Sequence, residues 1–72
     1  MHDTNRIFRI LKLIEEIWIR CPDMRLGQIL SNFAGFERDP FYYEDDNTEE
    51  LLKENLRKMI KEAHKNNANL RI

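Results

Sequence analysis

One cysteine, two glycines and two prolines occur in 72 residues. A lone Cys21 closes no disulfide within the chain, and with His2 and His64 as the only histidines it forms no recognised zinc spacing. No structural metal and no cofactor are therefore expected. With only Gly27 and Gly35 there is no Gly-rich loop to cradle a phosphate. No apolar run approaches the roughly 18 residues of a membrane span. The apolar positions from Ile7 onward are broken by Arg9, Lys12, Glu15 and Glu16, unlike a secretory leader. A single thiol suits a reducing compartment, so a cytoplasmic location is the expectation. An excess of either charge is also missing: 12 basic residues stand against 13 acidic ones, a net of −1. Small DNA-binding domains are usually clearly basic.

What is present is a chain 42 % apolar and 35 % charged, the composition of one small globular domain. A domain this short buries only about 60 % of the surface of its unfolded chain. Without a bridge or a metal it must rely on a compact helical core or on self-association.

The apolar spacing is helical in three segments. In the first, Ile7, Ile10, Leu11, Ile14, Ile17, Trp18 and Cys21 share one stripe at about 100° per residue. Asp3 or Thr4 can cap it, and Pro22 ends it. Phe8 and Ile19 fall to one side of the stripe and Leu13 to the other, so the arc is wider than one neighbour needs. A helix of this kind is packed on two sides, either by two helices or by one helix and a second subunit. A homodimer is one expectation that follows. The second segment has Asp23 as its cap, Met24, Leu26, Ile29, Leu30 and Phe33 at helical spacing, and Gly35 as its stop. Gly27 within it either admits another backbone closely or is simply tolerated.

Residues 36–47, FERDPFYYEDDN, form a linker. Pro40 argues against a central strand, a short extended piece is compatible with the sequence, and at least two of the rings of Phe41, Tyr42 and Tyr43 should pack onto the helices. In the third helical segment Asn47 and Glu50 match a capping box. Leu52, Leu56, Met59, Ile60 and Ala63 make a narrow stripe there. The reading is an all-α fold: a small three-helix domain over residues 1–65, with helices at about 5–20, 24–34 and 48–65. A structured aromatic and acidic loop joins helices two and three, and residues 66–72 are expected to form a frayed tail. The expected core is Ile7, Ile10, Leu11, Ile14, Ile17, Trp18, Leu26, Ile29, Leu30, Phe33, Leu52, Leu56, Met59 and Ile60.

The near-neutral total hides a polarised chain. Residues 1–36 carry +1, residues 37–54 carry −6 and residues 55–72 carry +4. The middle segment places Phe41, Tyr42 and Tyr43 beside Glu44, Asp45 and Asp46. Rings can anchor and charges can steer, so these six residues are the candidate docking surface for another protein. As a calcium loop the segment fails, because its acids are contiguous and no Gly follows. The alternative is nucleic-acid binding through Arg57, Lys61 and Lys65, spaced four apart on one helix face. Enzymatic chemistry finds little support: a nucleophile needs an oriented base, and Cys21 and His64 would have to meet in one concave site. The chain is read as non-enzymatic.

Two motifs stand out, Pro22-Asp23-Met24-Arg25-Leu26-Gly27-Gln28 and Asp39-Pro40-Phe41-Tyr42-Tyr43-Glu44-Asp45. Together they resemble short proteins of Gram-positive bacteria and their phages that carry PDxRLGQ and DPFYxED, over roughly residues 7–56. Members of that group have no assigned activity, so the resemblance implies no substrate and no catalytic residue. It directs attention to Arg25, Gln28, Asn32, Tyr42, Glu44 and Asp45. Physically, Arg25 and Gln28 could brace the FYYEDD loop through its carboxylates or carbonyls.

Overall fold

The computed structural model describes the backbone of residues 3–70 and the side chains of residues 3–64. It contains three α-helices, α1 (Asn5–Arg20), α2 (Leu26–Phe33) and α3 (Asp45–Leu70), with a 3₁₀ turn at Pro40–Tyr42 between the last two. Among the described residues there is no strand, and no helix is long and apolar enough to cross a membrane.

Helix α1 begins and ends where its sequence requires. The Asp3 carboxylate accepts the Asn5 N–H at 2.9 Å and the Asp3 carbonyl accepts the Arg6 N–H at 3.2 Å, so Asp3 rather than Thr4 supplies the cap. Helix α2 starts at Leu26, later than the apolar spacing suggests. The Trp18 indole N–H donates to the Met24 carbonyl at 2.7 Å, and the Met24 N–H donates to the Cys21 carbonyl at 3.1 Å. These bonds hold residues 21–24 as a turn, so Asp23 is not the cap. The N-cap is Arg25, in extended conformation, and the Gln28 side chain accepts its N–H at 2.8 Å. Gly35 ends α2 with φ of 75°, the left-handed conformation expected of it. The Phe36 N–H then reaches back to the Leu30 carbonyl at 3.2 Å.

Helix α3 starts at Asp45, so Asn47 lies inside it and the Asn47–Glu50 capping box does not form. Asp45 and Asp46 occupy the first turn, where carboxylates meet the positive end of the helix dipole. The helix continues to Leu70, past Asn66, where the sequence suggested fading; residues 71–72 of the expected tail lie outside the described residues.

The core is small. Ile17, Ile29, Ala34 and Leu52 are its fully buried apolar residues, ringed by Ile10, Leu13, Ile14, Trp18, Leu30, Phe33, Leu56 and Met59 among others. Helix α1 packs chiefly on α3. Asn55 ties α3 to the end of α2 by donating to the Phe33 carbonyl at 2.9 Å. Four residues expected in the core, Ile7, Leu11, Leu26 and Ile60, are exposed instead. For Ile7 and Leu11 the reason is geometric: α2, with 8 residues, covers only part of the wide apolar arc of α1. Gly27 has no atom within 4 Å of where a Cβ would sit, so it admits no close backbone.

Candidate functional site

The loop between α2 and α3 separates its aromatic residues into two roles. Asp39 fixes the 3₁₀ turn, its carboxylate accepting the Phe41 N–H at 3.0 Å, while Pro40 supplies a preset φ at the first turn position. Tyr43 turns inward. Its ring stacks on Phe36 at 4.6 Å between centroids, and its hydroxyl accepts the Glu37 N–H at 2.8 Å. Phe41 and Tyr42 turn outward, 83 % and 75 % exposed, and meet edge-to-face at 5.2 Å. The expectation that at least two of the three rings pack onto the fold is thus corrected: only Tyr43 is half-buried. The turn is too tight to bring consecutive side chains to one side.

The acidic residues also divide. Asp45 accepts from the Arg6 guanidinium at 2.8 Å. Glu49, buried on the α1-facing side of α3, takes Arg9 at 2.8 and 3.3 Å and Lys53 at 3.3 Å. Arg9 also reaches Asp3 at 3.0 Å. The Arg9 hydrogen bond holds the Glu49 carboxyl below its ordinary range, opposed by desolvation and aided by Lys53. The same guanidinium, with the Asn5 N–H, lowers Asp3. Two arginines of α1 therefore clamp the start of α3, and part of the negative charge is used inside the fold. Glu44 and Asp46 are exposed and make no ion pair among the described residues. Phe41, Tyr43, Glu44 and Asp46 line a polar depression with Arg6 and Arg9. A second hollow beside it is lined by Arg38, Asp39, Tyr42 and Tyr43.

The motif residues of α2 do not brace this loop. Gln28 is spent on capping its own helix, and Arg25 and Asn32 are exposed with no side-chain hydrogen bond among the described residues. The brace is made instead by Arg6, Arg9 and the Phe36–Tyr43 stack. Glu49 was not singled out from the sequence. A signal existed: Thr48, Glu49, Leu52, Leu56 and Met59 fall on one helical face, so Glu49 sits within the buried stripe.

Arg57 and Lys61 are exposed on α3, while the side chain of Lys65 lies outside the described residues. At 100° per residue Glu50 and Glu54 fall on the same face as Arg57 and Lys61, so the basic stripe is interleaved with carboxylates. Cys21 is half-buried against the core, and His64 is exposed on α3. No hydrogen bond involves either side chain among the described residues. No group of three or more His, Cys, Asp and Glu that could hold a metal occurs among the described residues. Comparison with models of protein families, with curated proteins and with solved structures finds no match for the chain.

Proposed function

We propose that the chain is a non-enzymatic protein-binding module that docks through Phe41 and Tyr42 in an acidic surround. It would act as an inhibitor or adaptor of a larger bacterial protein, of the kind suggested by the resemblance to short proteins of Gram-positive bacteria and their phages. One observation carries this reading. Two adjacent aromatic rings stand mostly in water on a turn that is itself held by the Asp39 cap and the Tyr43 hydroxyl. Burial of large rings at the centre of an interface supplies much of its energy. A rigid mount lowers the entropy lost on binding. Glu44 and Asp46 would steer the rings toward a basic surface.

The test is capture from a Gram-positive lysate by the wild type and by Phe41→Ser/Tyr42→Ser. Both rings are exposed, so the variant should stay folded. Loss of defined partners by the variant supports the reading. Equal recovery of the same proteins by both contradicts it.

A further inference from the structure

A second surface stands apart from the loop. On α1 the flank of the apolar arc away from Ile17 stays uncovered: Ile7, Phe8, Leu11 and Ile19 are 46 %, 70 %, 58 % and 66 % exposed. Leu11, Ile14, Trp18, Ile19 and Pro22 line one open groove there, with Glu15 among them. So much exposed apolar surface on one helix is costly where so few of the described residues are fully buried.

The order of residues along this face specifies what covers it. We propose that α1 pairs antiparallel with α1 of a second copy of the chain, about a two-fold axis near Leu13. In such a pairing the same flank of each helix meets itself in reverse order. On one flank Phe8 faces Ile19 of the second copy, and Lys12 faces Glu15. On the other flank Ile7 faces Trp18, and Leu11 faces Ile14. Apolar residues therefore meet apolar ones, and the two charges nearest the axis meet their opposites twice. A parallel pairing sets Lys12 against Lys12 and Glu15 against Glu15, so charge selects the antiparallel arrangement. Within one chain Lys12 already lies 2.9 Å from Glu15 and 3.2 Å from Glu16, so its ammonium is at the height where the second copy's carboxylates arrive.

A helix of 16 residues is about 24 Å long. Two such helices in contact bury less than the roughly 800 Å² per partner of a standard stable interface. The dimer should be reversible, with a dissociation constant on the order of 10–100 µM.

Sedimentation equilibrium of the full chain across and above that range tests this directly. The mass should rise from 8.8 kDa to twice that value. Lys12→Glu and Glu15→Lys each place like charges at both central contacts, and each alone should weaken the dimer about tenfold. An equimolar mixture of the two variants restores opposite charges and should assemble as well as the wild type. Both positions are exposed, and circular dichroism checks that each variant remains helical. A wild type that stays monomeric throughout overturns the proposal, as does a mass that climbs past the dimer. Single variants that assemble like the wild type exclude the antiparallel register.

Discussion

Gly35 and Gly27 show how differently one residue type behaves in two places. Gly35 adopts φ of 75°, and a Cβ there would lie 2.9 Å from Leu51 Cδ1. Gly35→Ala should cost about 1–2 kcal/mol, mostly for the left-handed backbone, since the Leu51 methyl can shift. Gly27 is in the first turn of α2 with open space around it, so Gly27→Ala should stabilise by about 0.5–1 kcal/mol. Urea denaturation of the two variants should move the midpoint in opposite directions. The role of Gly35 was legible from its place after the last apolar residue of α2. That of Gly27 was not, because sequence alone gives no distance to neighbours. The same limit applies to the aromatic triplet. Nothing in the order Phe41-Tyr42-Tyr43 says which ring turns inward; Phe36, five or more positions away, decides it. Tyr43→Ala should cost about 1–2 kcal/mol through the lost stack and hydrogen bond. Phe41→Ser/Tyr42→Ser should change stability by no more than about 0.5 kcal/mol.

At the scale of helices, the contact between α1 and α3 combines apolar packing with the Arg6–Asp45 and Arg9–Glu49 pairs. The pairs make this contact sensitive to acid. Glu49 and Asp3 have folded pKa values below their ordinary values of 4.5 and 3.8, first because each accepts from Arg9. A carboxylate with a lowered folded pKa contributes stability above its ordinary value, and that stability is lost as pH falls through the lowered one. Glu49→Gln should therefore melt below the wild type at pH 7, and the gap should narrow as pH drops below the ordinary 4.5 of Glu49. Thermal melts at pH 7, 4.5 and 3 check this; a gap that is the same at all three contradicts it. Helix α1 was legible almost residue for residue, because Asp3 and Pro22 bracket a strong apolar stripe. The starts of α2 and α3 were not. The Trp18–Met24 bond and the Arg6–Asp45 pair are tertiary, and they override the local capping signals of Asp23 and Asn47.

The whole molecule is held by a narrow margin. Domains of this length rarely gain more than about 3–5 kcal/mol from one core, and Leu52→Ala, at a fully buried position, should cost about 2–5 kcal/mol. Most of the helical circular dichroism should be lost in that variant at 37 °C. The three-helix architecture followed from composition and periodicity. The distribution of surface did not, because exposure of Ile7 and Leu11 depends on how short α2 is. Two uncovered surfaces result, an aromatic one on the loop and an apolar one on α1, and the loop carries the proposed function. A photo-reactive phenylalanine placed at position 42 in living cells tests that role most directly, with the exposed Glu62 position as control. A discrete crosslinked adduct at position 42 that is absent at position 62 is the expected result. No adduct at 42, or the same adducts at both positions, would contradict a docking role for the loop.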